Sequence, residues 1–173
     1  IMQVCQKDAQ AGISGDAGAA KEYLKSLRNG PGRTTRDESF SNLNDAFAQC
    51  AARFLKDFQS RYGQVHITSA WRSQEDQHNV CPVAVPGKCG GPDSNHTKGL
   101  AIDEYPTSRN FDQLWGFAKQ NPQYGVCFPF EGGDRYHMIL AGDYGGETQH
   151  CKERGYADKP CSGVNFDPNS IRD

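Results

Sequence analysis

The chain has 173 residues, of which 36% are hydrophobic, 23% are charged and 10% are aromatic. This length corresponds to a single domain with its own core, and the aromatic content excludes a disordered chain. The formal net charge of -2 provides no basic field for binding nucleic acid, and no apolar run approaches the roughly 20 residues of a membrane span.

Two helices are predicted in the first third of the chain. Residues 16–28 are rich in Ala, Lys and Leu and are followed by a turn of Gly and Pro. Residues 39–62 have apolar side chains at steps of three and four, which form one helical face: Phe40, Leu43, Phe47, Cys50, Phe54 and Phe58. We interpret this second helix as a support of the core.

Four segments rich in β-branched and aromatic residues predict strands: 64–71, 99–105, 126–130 and 136–140. A helix is predicted over 111–120, with Asn110 as its N-cap and Gln113 completing a capping box. Because helices come first and short strands follow, the sequence predicts an α+β fold with N-terminal helices packed on a small antiparallel sheet. We expect a single domain over 1–173, with a core of about 38–141 and a loop-rich, disulfide-held tail over 142–173.

Seven cysteines are many for a cytosolic enzyme of this size and indicate an oxidising compartment, either secreted or periplasmic. The first residues contain no basic or apolar signal region, so a signal peptide has been removed or the chain is part of a longer protein. Two local bonds are predicted, Cys81–Cys89 and Cys151–Cys161. Cys50 is either a buried thiol or a bridge partner, with Cys5 as one candidate, and Cys127 is expected to be the unpaired thiol.

Two of the five histidines lie beside carboxylates in segments suited to chemistry. His96 precedes a predicted strand that ends near Asp103, and His137 follows Asp134 by three residues. The glycines at 132 and 133 allow the chain to bend, so that Asp134 and His137 can face one site. The small residues Gly99 and Ala101 are expected to leave the backbone beneath Asp103 open.

Two histidines and one carboxylate form a three-ligand zinc site with an open fourth position, which is the pattern of catalytic zinc. A second carboxylate near that position can serve as a general base, and Asp134 is the candidate. From the residues alone, the alternative is that His96 and His137 are ordinary polar loop residues. A zinc site built from Cys81, Cys89 and His78 is disfavoured, because no C-x-x-C spacing is present.

The segment Ser94-x-His96-x-x-Gly99-x-Ala101-x-Asp103 resembles the S-x-H-x-x-G-x-A-x-D signature of the zinc peptidoglycan peptidases. This is the D-alanyl-D-alanine carboxypeptidase family, which includes phage L-alanyl-D-glutamate endolysins and shares its fold with the hedgehog signalling domain. The upstream run Trp71-Arg72-Ser73 with Gln77, and the downstream Asp134-x-x-His137, also resemble elements of the family. The resemblance covers roughly residues 60–140.

The resemblance implies a role for each matched residue. His96, Asp103 and His137 would bind one zinc ion, and Asp134 would be the base that activates the attacking water. Arg72 would stabilise the oxyanion or hold a substrate carboxylate, because its planar donor fork suits either group. Ser94 would contact the substrate.

One departure from the family pattern concerns the bond that is cleaved. Many members have Glu where Asp134 stands, whereas the endolysin branch has Asp, so the resemblance favours an endopeptidase that hydrolyses amide bonds in peptidoglycan stem peptides or cross-links. The first alternative is a D,D-carboxypeptidase that removes terminal D-Ala. An alternative of another class is a non-catalytic zinc-containing module for cell-wall binding or signalling.

The expected partner is a peptidoglycan peptide, with no nucleic acid and no membrane span. An immunity or carrier protein is not indicated by any residue pattern.

Overall fold

A computed structural model describes residues 16–86 and 88–171 of the chain. Six α-helices are present in this part: α1 Ala17–Ser26, α2 Asp37–Ser41, α3 Asp45–Tyr62, α4 Gln74–Val80, α5 Phe111–Gln120 and α6 Gly146–Glu153. The strands are β1 Val65–Ser69, β2 Ala101–Pro106, β3 Val126–Cys127 and β4 His137–Leu140. Short 3-10 turns occupy Gly91–Asp93, Pro122–Tyr124 and Pro168–Ser170. The predicted α+β class is confirmed.

The four strands form one antiparallel sheet in the order β1-β2-β4-β3. All four predicted strands are present, but the third is shorter than expected and ends at Cys127. Pro129 follows two residues later, and proline has no N–H with which to extend a ladder. The first three residues of β2 pair with β4, so that Ile102 lies opposite Met138 and Asp103 lies opposite His137.

The predicted helix over 39–62 is two helices, with a break at residues 42–44. Asn44 is the N-cap of the second helix, because its side-chain oxygen accepts a hydrogen bond from the N–H of Phe47 at 3.0 Å. The apolar face continues across the break, since Phe40 and Leu43 are both buried. The predictions of a helix within 16–28 and of one over 111–120 are confirmed, and Asn110 caps the latter by accepting from the N–H of Gln113 at 3.0 Å.

The core lies between α3, α5 and the sheet, and aromatic side chains fill much of it. Phe54 is in ring contact with Phe58, Phe117 and Phe128, at centroid distances of 6.2, 5.6 and 6.1 Å. All four rings are buried. The role predicted for the long helix as a core support is therefore confirmed. Among the described residues, no helix is long and apolar enough to cross a membrane.

The described residues form three disulfide bonds, and one of these joins the predicted partners. Cys81–Cys89 closes a local loop as expected. The predicted Cys151–Cys161 bond is wrong, because Cys50 pairs with Cys161 and Cys127 pairs with Cys151. Cys127 is therefore not the unpaired thiol, and Cys50 is not bonded to Cys5, which lies outside the described residues.

The tail is held by disulfides, but it is less irregular than predicted. It contains α6. At the start of this helix, the hydroxyl of Thr148 donates to the carbonyl of Gly145 at 2.6 Å. The helix has little apolar periodicity of its own, so the sequence pattern did not reveal it. Its attachment to the sheet through Cys127–Cys151 compensates for this weak local signal.

We predict that the Cys50–Cys161 bond contributes most to stability, since its partners are 111 residues apart, against 8 for Cys81–Cys89. Loop-closure entropy grows with separation, so replacing both Cys50 and Cys161 by Ala should lower the free energy of unfolding by ~2–5 kcal/mol. Removing Cys81–Cys89 should have an effect about 2 kcal/mol smaller. Denaturant unfolding of the oxidised variants measures both values. Equal losses would contradict the prediction.

Candidate metal centre

The register of β2 against β4 brings two of the predicted ligands together. Asp103 and His137 are direct neighbours on the two strands. His96 arrives from the loop before β2, where its backbone carbonyl accepts a hydrogen bond from the N–H of Arg72 at 3.1 Å. One strand pair and one adjoining loop therefore deliver all three side chains to the same place.

The three side chains form a compact group whose ligand atoms all lie within 4.8 Å of one another. His96 Nε2 is 3.1 Å from Asp103 Oδ1, and His137 Nδ1 is 3.2 Å from the same oxygen. All three residues are buried. Two imidazole nitrogens and a carboxylate oxygen this close together can hold a metal ion.

Each histidine is oriented by a hydrogen bond from the ring nitrogen that points away from the group. His96 Nδ1–H donates to the carbonyl of Ala70 at 2.8 Å, and His137 Nε2–H donates to Glu147 Oε2 at 3.1 Å. Metal-bound histidines are held in this way, because the second bond fixes both the tautomer and the ring plane. The nitrogens left facing Asp103 are then available to a metal, so the donor set fits a divalent ion.

Glu147 contacts a predicted ligand, and sequence reasoning missed it. It lies on α6, ten residues after His137, and also accepts a hydrogen bond from Asn95 Nδ2 at 2.8 Å. It thus links the loop that carries His96 to the strand that carries His137. No sequence signal identified it, because the spacing between a histidine and the carboxylate that orients its ring depends on the tertiary fold.

The electrostatics of the group are dominated by mutual compensation of buried charges. Burial alone would lower the pKa of His137, but hydrogen bonds to Asp103 and Glu147 raise it to about 10. Burial raises the pKa of Asp103, yet His96 and His137 hold it well below its usual range. Burial lowers the pKa of His96, which favours its neutral form. The negative charges of Asp103 and Glu147 are thus balanced by His137, which has to release a proton when it binds a metal.

Arg72 lies beside the group and is held by three side chains. Its Nε donates to Ser69 Oγ at 3.0 Å, and one Nη donates to Gln77 Oε1 at 3.1 Å. The other Nη donates to Asp103 Oδ2 at 3.2 Å. A guanidinium has five N–H donors, so two remain for other partners. Arg72 also lines the cavity described below, so its guanidinium is fixed by three side chains at the wall of that cavity.

Asp134 is placed where sequence reasoning expected the base. Its Oδ2 is 3.8 Å from His137 Nδ1, and the residue is partly buried in the turn before β4. Burial and the negative charge of Asp103 raise the pKa of Asp134 to about 6. It is therefore close to the metal ligands without belonging to the group that their atoms form.

Ser94 is buried and lines the same cavity, but its hydroxyl oxygen accepts a hydrogen bond from the N–H of His96 at 3.2 Å. This contact shapes the loop that carries the histidine.

The role expected for Gly99, open access beneath Asp103, is wrong. A Cβ at this position would lie 2.7 Å from the carbonyl oxygen of Asn42, so the glycine allows two loops to pack closely.

The remaining candidates lie outside the ligand group. Cys81 and Cys89 are bonded to each other, which removes them as ligands. His78 is exposed on α4. His150 lines the cavity wall, where it stands against the ring of Phe130 at 5.5 Å.

The ligand group opens into a cavity of about 610 Å³. Asp134 and Arg72 line it together with the three ligands. The cavity thus places a candidate metal, a candidate base and a guanidinium around one space that admits a ligand. Comparison with protein-family models, with curated proteins and with solved structures found no match.

We predict that Glu147 tunes metal affinity without touching the metal. Glu147→Ala should weaken zinc binding by ~10- to 100-fold, because His137 loses the acceptor that orients its ring. Glu147→Gln keeps an acceptor and should have a smaller effect. Competition with a chelator of known affinity measures the change. Glu153→Ala, an exposed carboxylate on the same helix, is the control, and an equal loss in that variant would contradict the prediction.

Proposed function

We propose that the protein is a zinc-dependent peptidase that hydrolyses amide bonds in peptidoglycan stem peptides or cross-links, acting as an endopeptidase. The observation that carries the proposal is the convergence of His96, Asp103 and His137 on one wall of a cavity that also contains Asp134 and Arg72. A metal held by only three protein groups keeps a position for a reactant, whereas a structural zinc site uses four.

Zinc suits the donor set, since it accepts imidazole nitrogen and carboxylate oxygen without a preference for higher coordination. When bound, it supplies a Lewis acid that polarises a carbonyl and activates water. The buried surroundings of the ligands strengthen this effect, because they exclude bulk water from the metal-facing atoms.

Asp134 acts as the general base. Its carboxylate accepts a proton from the attacking water and returns it to the nitrogen of the leaving amine. Its Oδ2 lies 3.8 Å from His137 Nδ1, one of the ligand atoms, and this closeness supports the assignment. General-base catalysis of this kind contributes ~10²- to 10⁴-fold to the rate.

Arg72 stabilises the negative charge that develops on the carbonyl oxygen. Its guanidinium is fixed before substrate arrives by hydrogen bonds to Ser69, Gln77 and Asp103. These bonds use three of its five N–H groups, which leaves two for the substrate. Donors that need no reorganisation during the reaction are the most effective kind, and loss of one costs ~10²- to 10³-fold.

Peptidoglycan is proposed as the substrate because of the motif, not because of the cavity alone. The spacing from Ser94 to Asp103 and the Asp134-x-x-His137 pair resemble the peptidoglycan peptidases. The three disulfides are compatible with an extracellular or oxidising compartment, where peptidoglycan lies. A D,D-carboxypeptidase is the alternative within the class.

We predict that Asp134→Asn lowers kcat/KM by at least ~10²-fold and leaves zinc stoichiometry unchanged, since the residue is a base and not a ligand. His96→Ala should lose both activity and zinc. Metal analysis and kinetics on the same preparations separate the two effects. Asp112→Asn, on the surface of α5, is the control. An Asp134→Asn variant as active as wild type on murein would instead support a non-catalytic zinc module.

The cleaved bond is identified by digesting purified muropeptides and weighing the products by mass spectrometry. An endopeptidase should release fragments that end within the stem peptide or at the cross-link. Release of free D-Ala alone would reject the endopeptidase in favour of the carboxypeptidase. Absence of any product from a zinc-loaded protein would reject the proposed function.

A further inference from the structure

A short segment closed by a disulfide forms one wall of the metal-site cavity. It consists of the last residue of α4 and the residues that follow it, 80–86 and 88–90, which we call the valine loop. The Cys81–Cys89 bond joins its ends, and Val85 N–H donates to the carbonyl of Cys89 at 2.9 Å. The loop is therefore a built feature with its own cross-link and backbone pairing.

The valine loop exposes apolar side chains that the fold does not use. Val80, Val83 and Val85 are 52%, 72% and 42% exposed, and they are three of the four exposed large hydrophobic residues in the described part of the chain. Val80 and Val85 line the cavity of the metal centre, whereas Val83 does not. Apolar surface concentrated at one wall of a site indicates contact with a ligand.

The loop is also fixed relative to the metal ligands. Gly91, which directly follows it, has a φ of +61°, and a Cβ there would lie 2.7 Å from the backbone nitrogen of Ala84. Gln74 Nε2 donates to the carbonyl of Pro92 at 3.2 Å, which attaches α4 to the same stretch. That stretch leads directly to His96. The apolar wall is thus preorganised next to the ligand group.

A cation accompanies the apolar side chains. Lys88 is exposed, lines the same cavity and forms no salt bridge within the described part of the chain. The carboxylates that line this cavity, Asp103, Glu147 and Asp134, each lie within 4 Å of a histidine nitrogen. An ammonium group that forms no salt bridge in the described part of the chain, in the same cavity as exposed valines, favours a ligand that combines an aliphatic group with a carboxylate.

We propose that the valine loop is the specificity subsite for an alanine residue that flanks the cleaved bond, with Val80 and Val85 contacting its methyl group and Lys88 pairing with a carboxylate of the same peptide. This inference rests on the proposed function, since both bonds considered above have alanine on at least one side. The inference goes beyond the proposed function because it names the residues that select the substrate. These residues lie in a loop outside the motif from Ser94 to Asp103.

The test uses the zinc-loaded protein and the stem pentapeptide L-Ala–D-Glu–meso-diaminopimelate–D-Ala–D-Ala, together with analogues in which one alanine at a time is glycine. We expect wild type to prefer alanine at one position by about four- to tenfold, the effect of one methyl group in an apolar pocket. The double variant Val80→Thr/Val85→Thr keeps side-chain shape and replaces two methyl groups by hydroxyls. It should reduce the preference to less than about twofold.

Val83→Thr is the matched control, because Val83 belongs to the same loop but does not line the cavity. It should keep the wild-type preference. Kd values are measured by calorimetry in the Asp134→Asn background, so that binding is read without cleavage. Lys88→Gln should weaken binding of the carboxylate-bearing peptide by up to about fivefold, which is the largest effect of an exposed ion pair on Kd. Binding of the amidated analogue should be unaffected.

The outcomes separate the subsite from the activity. If wild type cleaves but the double threonine variant keeps the full alanine preference in both kcat/KM and Kd, the subsite is wrong and the proposed function stands. If wild type binds the pentapeptide with the expected preference but does not cleave it, the peptidase function fails, and the valine loop stands only as a binding site for an alanine residue. Absence of any preference in binding, or equal losses in Val83→Thr, overturns the subsite.

Discussion

The antiparallel pairing of β2 with β4 is the constraint on which the site depends. It places Asp103 opposite His137, and one carboxylate oxygen of Asp103 then lies within 3.2 Å of both histidines. Because side chains alternate between the two faces of a sheet, a slip of one residue would send one of these groups into the core. The register is secured on the other face by Ile102 and Met138, which are neighbours and fully buried. Hydrophobic packing on one face of the sheet thus positions the chemistry on the other.

Gathering ionisable groups in a buried place is costly unless each has a partner. Here Asp103 is paired with His96 and His137 through one oxygen and with Arg72 through the other. Glu147 completes the set by accepting from the far nitrogen of His137. The group is therefore satisfied before any metal binds, and a cation would replace contacts within the group while the outer hydrogen bonds stay in place. A preformed site of this kind loses little conformational entropy on loading, which favours tight binding.

The sequence was sufficient to predict the parts of the site that lie on one short segment or on neighbouring strands. His96 and Asp103 are seven residues apart, and Asp134 and His137 share one turn, so local spacing already limits their positions. Glu147 and the bonds of Cys50 and Cys127 were missed for the opposite reason. Their partners are brought together by packing of α3, α6 and the tail, and loop closure over such distances leaves no local signal. The helix break at 42–44 was missed because the apolar period runs through it and conceals the capping side chain of Asn44.

The disulfides fasten the distant elements of the chain to the sheet that carries the candidate ligands. Cys127 lies on β3, which pairs with the strand of His137, and its bond to Cys151 fastens α6 to the same sheet. The carboxylate of Glu147 is on that helix, so the orientation of a metal ligand depends on a cross-link between strand and helix. Because α6 has little apolar periodicity, packing alone provides weak attachment. The cysteines thus hold the elements that orient the histidines, even though none of the six described ones has a ligand atom in the group itself.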